Sequence, residues 1–208
     1  MVKLTGPCMS MSASGTLGNT ITYSIWKGRP YARQRVIPSN PRSANQTGMR
    51  AMFKFLAQQW DGLGSPAKTS YDADAEAKSI SAYNEYISFN MARWKNYAAP
   101  SQAKPAAETS TPLTVNNMTL TGGEGHVNIS LTPSAATDIW GFEIYRDSAA
   151  ITTPNNSNCI AVIAADGASA VEYNDSGLEA GTYHYRAAVI NTDGVRGTAI
   201  ADDSEAVT

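Results

Sequence analysis

The spacing of apolar residues changes twice along the chain, and each change marks a different kind of structure. Thr20-Ile21-Thr22-Tyr23-Ser24-Ile25-Trp26 is β-branched and aromatic at nearly every position, which predicts a strand. Lys27-Gly28 supplies a turn. From Arg29 to Ile37 the chain alternates again, with Tyr31, Arg33, Arg35 and Ile37 set against Ala32, Gln34 and Val36. Pro38 and Pro41 end strand pairing, so this region reads as a β-hairpin or an extended arm.

The period then becomes helical. Ser43-Ala44-Asn45-Gln46 has the spacing of a capping box, and Met49, Met52, Phe53, Leu56, Ala57 and Trp60 follow as one stripe. Asp61-Gly62-Leu63-Gly64 stops that helix, and Ser65-Pro66 begins another that runs through Tyr71, Ala75 and Lys78. A last helix begins near Ser79 or Ser81 and carries Tyr83, Ile87, Asn90, Met91 and Trp94. Residues 100–112 hold three prolines among small polar residues, the composition of an extended spacer.

Beyond that spacer the period is two. Val127, Ile129 and Leu131 alternate with polar neighbours, Ile139, Gly141, Glu143 and Tyr145 alternate with Trp140, Phe142, Ile144 and Arg146, and Thr182 to Ile190 sets Tyr183, Tyr185, Ala187 and Val189 on one side. Cys159 to Ile163, Ala170 to Tyr173 and a segment near Ala199 complete six or seven short strands, and Asn191-Thr192-Asp193-Gly194 is a hairpin-turn signal. That spacing predicts a sandwich. The fold class expected is therefore α+β and multidomain. A β-hairpin arm with a small helical module occupies residues 1–99, a Pro-rich linker 100–113, and an all-β immunoglobulin-like sandwich 114–208.

Composition narrows the function classes. Hydrophobic residues make up 42% of the 208, a globular value. No apolar run approaches the roughly 18 residues of a membrane span, and Gly6 and Pro7 interrupt what would be a signal-peptide core. Two cysteines, Cys8 and Cys159, and two histidines, His126 and His184, leave little for a disulfide framework, a zinc site or a catalytic triad. Asp72-Ala73-Asp74-Ala75-Glu76 lacks the glycine-bearing loop of a calcium site and suits the first turn of a helix. Gly15-Thr16-Leu17-Gly18 lacks the Lys-Ser/Thr of a phosphate loop. No enzyme activity, cofactor or metal is expected.

Charge adds more. Residues 1–100 hold twelve bases against five acids, net +7, and residues 101–208 hold four bases against thirteen acids, net −9. Before Asp61 there are eight positive charges and no acid. Such a segment seeks an acidic surface or a phosphate backbone. Its chemistry concentrates in Trp26, Lys27, Arg29, Tyr31, Arg33, Arg35 and Arg42, the candidate interface. Arginine forks onto carboxylates while aromatic rings supply contact area, and the same set suits single-stranded nucleic acid.

Two resemblances extend this reading. Ile139-Trp140-Gly141-Phe142-Glu143-Ile144-Tyr145-Arg146 resembles the third strand of fibronectin type III domains, and Gly181 to Asn191 resembles their sixth. The resemblance implies a tyrosine corner at Tyr183, although Val127 to Leu131 stand where such domains carry a tryptophan. Gly15-Thr16-Leu17-Gly18-Asn19, Tyr23 to Arg33 and Pro38 to Gln46, with Tyr83-Asn84 and Asn90, together resemble, over about residues 14–97, a family encoded among tailed-bacteriophage structural genes. That likeness implies a virion structural protein, foremost a capsid decoration protein anchored by its basic module. A tail or connector component and a nucleic-acid-binding protein are the alternatives. The partners expected are the major capsid protein or a tail component, further copies in a symmetric assembly, and host-surface glycan, with no membrane span. Sugar stacking on Trp140 and the Tyr183/Tyr185 pair would make the sandwich a carbohydrate-binding module instead.

Overall fold

The computed structural model describes residues 2–3, 14–40, 43–135 and 137–208. They divide into two compact units, Met1–Pro41 and Arg42–Thr208.

The first unit is a single antiparallel sheet in the order β1-β4-β3-β2, formed by β1 (Val2–Lys3), β2 (Gly15–Leu17), β3 (Ile21–Trp26) and β4 (Arg29–Gln34). The expected hairpin is its centre. Trp26 pairs with Arg29 across Lys27 and Gly28, whose φ angles of 48° and 74° are both positive. Two positive φ angles make the tight hairpin turn whose twist matches its strands, and Gly28 takes that conformation freely. The return strand ends at Gln34, short of the expected Ile37, and residues 35–40 follow without regular structure.

The second unit has three layers. A sandwich is built from the sheet β5-β6-β9 and the sheet β11-β10-β7-β8. Its strands are β5 (Val115–Gly123), β6 (His126–Pro133), β7 (Ile139–Asp147), β8 (Cys159–Ala164), β9 (Val171–Ser176), β10 (Gly181–Asn191) and β11 (Asp203–Val207). Three strands face four, the immunoglobulin-like arrangement of fibronectin type III domains. The Tyr183 hydroxyl donates to the Glu179 carbonyl at 3.1 Å, which is the tyrosine corner. Val127, Ile129 and Leu131 from one sheet meet Phe142, Ile144, Tyr185, Ala187 and Val189 from the other.

The third layer is helical: α1 (Ala44–Gln59), α2 (Ser65–Thr69), α3 (Asp72–Ala77) and α4 (Ala82–Lys95). Met52, Phe55, Leu56, Tyr86 and Trp94 pack on the outer face of the four-stranded sheet, through Trp140, Tyr145, Ala188 and Ile190. That sheet is thus covered on both faces. This explains why β7 is buried continuously from Trp140 to Tyr145 and β10 from Ala187 to Asn191, where a half-exposed strand would alternate.

Four expectations are corrected. The helices belong with the sandwich and form no module with the hairpin. Residues 100–113 do not act as a free spacer. Asn90 donates to the Ser101 carbonyl at 3.0 Å and accepts from its N–H at 2.7 Å, and the Asp193 carboxylate accepts from the N–H groups of Thr109 and Ser110. Between buried Pro100 and Leu113, which packs against the sandwich core, the segment is held largely through its backbone polar groups. The Ser43 side chain forms no cap, and the Thr47 hydroxyl donates to the Ser43 carbonyl instead. The long second helix breaks at Ser70-Tyr71 into α2 and α3, and buried Tyr71 donates to Ser101.

The helix faces are also rotated from expectation. On α1, Gly48, Met52, Phe55 and Leu56 are buried while Met49 and Phe53 are exposed. Two glycines set that face. A Cβ on Gly48 would lie 2.6 Å from the Asn156 carbonyl oxygen, and one on Gly141 would lie 2.5 Å from that of Ile163 and 2.9 Å from the Phe55 ring.

Candidate interface on the amino-terminal sheet

Directly opposed residues of an antiparallel pair point to the same side, so register assigns the faces of the first sheet. Thr22 opposes Arg33, Ser24 opposes Tyr31 and Trp26 opposes Arg29, with Thr16 opposite Thr22 on the next strand. One face therefore gathers Thr16, Thr22, Ser24, Trp26, Arg29, Tyr31 and Arg33. The other carries Leu17, Ile21, Tyr23, Ile25, Pro30, Ala32 and Gln34. The sheet is amphipathic: basic and aromatic on one side and, among the described residues, free of ionised side chains on the other.

Of the seven sequence-predicted interface residues, four share that basic face. Trp26 is 65% exposed, and the Lys27 ammonium lies 5.0 Å from its ring centroid, a cation–π contact at the hairpin tip. Arg35 lies one residue past β4, where its guanidinium donates to the Asn19 side-chain oxygen and its N–H to the Thr20 carbonyl. Arg42 lies outside the described residues. Among the described residues neither Arg29 nor Arg33 forms an ion pair. Their charge is available to a partner, and unopposed guanidinium forks beside aromatic surface are what a carboxylate-rich surface engages. Thr16, Thr22 and Ser24 escaped the sequence reading; the Lys27-Gly28 turn, taken with the alternation, sets the register that places Thr22 and Ser24, and the β2–β3 connection from Leu17 to Ile21 places Thr16.

Elsewhere the chemistry is structural. Among the described residues no group of three His, Cys, Asp or Glu side chains is placed to hold a metal. Asp72 and Asp74 stand in the first turn of α3, and Asp74 pairs with Lys104 at 2.5 Å. Buried Glu85 accepts from Lys104 and Lys78 at 2.6 Å each. Hydrogen bonds from these lysines hold both carboxyls below their ordinary range. Burial by itself would lower the pKa of Lys104, but its two carboxylates override this and raise it. His184 pairs with Asp202 at 2.7 Å, and the His126 ring meets the Glu124 carbonyl. Cys159 is buried, and burial pushes its thiol pKa up, away from reactivity. Cys8 lies outside the described residues.

The sugar-stacking reading of the sandwich fails on geometry. Strand pairing skips Trp140, since Asn191 opposes Ile139 and Ile190 opposes Gly141. The resulting bulge turns Trp140 away from Phe142 and under α1. There it is 4% exposed, stacks on Phe55 with centroids 5.1 Å apart, and donates to Gln59. Tyr185 is fully buried.

A second buried site joins the helices to the sandwich. Glu143 on β7 is completely buried. It accepts from Arg196 at 2.5 and 2.8 Å, from the Trp94 indole at 2.9 Å and from the Tyr145 hydroxyl at 2.6 Å. The Arg196 guanidinium lies 4.1 Å from the Tyr97 ring centroid. Burial opposes its charge, but Glu143 reverses that and raises the Arg196 pKa.

No protein-family model matches the chain, and no curated protein matches it. Solved structures resemble about half of it. A β-1,2-glucanase from Parabacteroides distasonis aligns over 48% of this chain at 20% identity and TM-score 0.37, this chain spanning 14% of that one. The chicken CNTN1 FN1-FN3 domains align over 47% at 11% identity and TM-score 0.34, with 32% of their length covered. The third fibronectin III domain of human KIAA0343 protein aligns over 50% at 16% identity and TM-score 0.36, with 87% of that domain covered. The chain thus spans under a third of the first two, and it is the strand order of the second unit that identifies an immunoglobulin-like sandwich.

Proposed function

We propose that this chain is a structural protein of a tailed-bacteriophage particle, foremost a capsid decoration protein. Its basic sheet face grips an acidic neighbour, and the acidic second unit is displayed. One observation carries the reading: Trp26, Arg29, Tyr31 and Arg33 share one face of a sheet that is a unit by itself, in a stretch without an acid until Asp61. The virion setting rests on the resemblance of about residues 14–97 to phage structural-gene products. Repetition on a lattice would make even weak contacts of each copy effective through avidity.

The test is incorporation. Arg29→Glu, Arg33→Glu and Arg35→Glu together should reduce binding to particles about 100-fold, from roughly 1 kcal/mol per exposed charge contact. The second unit should stay folded. Normal incorporation would overturn the anchoring. Quantitative mass spectrometry of purified particles then sets the position. A simple ratio to the shell subunit means head decoration, a few copies mean tail or connector, and absence ends the virion reading.

Arginine interleaved with Trp26 and Tyr31 also fits single-stranded nucleic acid. If that reading is correct, affinity for an oligonucleotide falls linearly on a log–log salt plot. No binding at low salt removes it.

A further inference from the structure

The opposite face of the same sheet poses a separate problem. Leu17, Ile21 and Ile25 are 63%, 38% and 54% exposed, and Tyr23, Pro30 and Ala32 continue the same apolar surface. A one-layer sheet has no core of its own, and a sheet buries its apolar face against another layer.

We infer that this face pairs with the identical face of a second copy, as two sheets of a small intermolecular sandwich. Charge selects the occupant. Among the residues whose side chains are described, the ionised ones that register places on the sheet, Arg29 and Arg33, project from the other side. The apolar face presents none, so it offers nothing to an acidic partner. Two copies joined through it point their arginines apart. Sheets pack about 10 Å apart, which leaves the two basic faces on the order of 20 Å from each other, beyond the ~8 Å screening length at physiological salt. Like charge therefore does not oppose the pairing. Leucine, isoleucine and tyrosine on a flat pleated face are also what sheet-on-sheet packing uses.

Area sets the strength. Six-residue strands at ~3.3 Å per residue and four strands at ~4.8 Å spacing give at most about 400 Å² per copy. That is half of the ~800 Å² per partner of a stable complex. The pairing is weak in free solution and becomes effective where copies are held close together, with both basic faces left open for docking.

Sedimentation of the full chain tests this. Its apparent mass should rise toward twofold between tens of micromolar and about 1 mM. The Ile21→Asp, Ile25→Asp double variant should stay monomeric over that range, with an unchanged circular dichroism spectrum. Arg29→Glu with Arg33→Glu should still dimerise, which separates this face from the particle-docking face. Oxidative cross-linking in a Cys8→Ser background gives the geometry: Ile25→Cys should form a covalent dimer, and Ser24→Cys, on the opposite face, should not. A wild-type chain that is monomeric throughout, a dimer that survives the aspartates, or equal cross-linking at both positions would overturn the pairing.

Discussion

The two units use the same antiparallel chemistry to opposite ends. In the sheet of the first unit, β3 and β4 keep no fully buried residue, and their side chains stand where a partner can reach them. In the second unit, β7 and β10 are buried along most of their length between a sister sheet and a helical layer. The first displays residues and draws little stability from its own packing. The second draws stability from two cores and carries few exposed large apolar groups. An exposed Trp26 amid arginines is therefore a candidate contact, whereas a buried Trp140 is packing.

The largest way to break this contrast is at Glu143. Arg196→Met leaves that carboxylate buried without its cation, and loss of one partner of a buried pair costs about 3–5 kcal/mol. Urea unfolding of the second unit should shift by that amount, while NMR signals from Ile21 to Gln34 stay in place. A shift of the first unit as well would show that the two do not fold independently.

Gly141→Ala comes next. Its Cβ would meet the Ile163 carbonyl oxygen and the Phe55 ring, an overpacking cost of about 1–3 kcal/mol. Thermal unfolding should report it, with little effect if α1 is free to lift off the sheet.

Acid tests the lysine cluster. The Glu85 carboxyl sits below its usual 4.5 when folded, so its contribution is complete above that pH and is lost as pH falls through the folded value. Lys104, raised above 10.5, behaves oppositely: its contribution is complete below that pH and is lost as pH rises through its folded value. Between pH 7 and pH 3 the wild type should therefore lose more stability than Glu85→Gln, measured by urea midpoint. Equal losses would remove Glu85 from the acid response.

The smallest effect sharpens the first unit. Lys27 holds φ of 48°, which asparagine tolerates better, so Lys27→Asn should stabilise the hairpin by about 1 kcal/mol. Amide exchange across Ile21–Gln34 should slow while the second unit is unaffected.

Local pattern alone determined much of this protein. The β3–β4 hairpin and its turn, the existence of the helices and the sandwich strands follow from alternation, glycine placement and short-range spacing, and the tyrosine corner at Tyr183 from the resemblance to fibronectin type III domains. These signals act within a few residues. The shared face of Trp26, Tyr31, Arg29 and Arg33 follows too, because a two-residue turn fixes register and register fixes sides.

Tertiary structure decided what rests on distant partners. Phe55 turned inward and Phe53 outward because Gly141, some eighty-six residues away, opens room on one side of α1 only. Trp140 left the alternation because a bulge opposite β10 re-aimed it. The segment 100–113 lost its expected freedom because Asn90, Asn191 and Asp193 supply hydrogen bonds that no count of prolines reveals. The helices joined the sandwich because the outer face of its four-stranded sheet is apolar as well as the inner. Periodicity registers which residues are apolar, and only the packed chain shows how many layers they need.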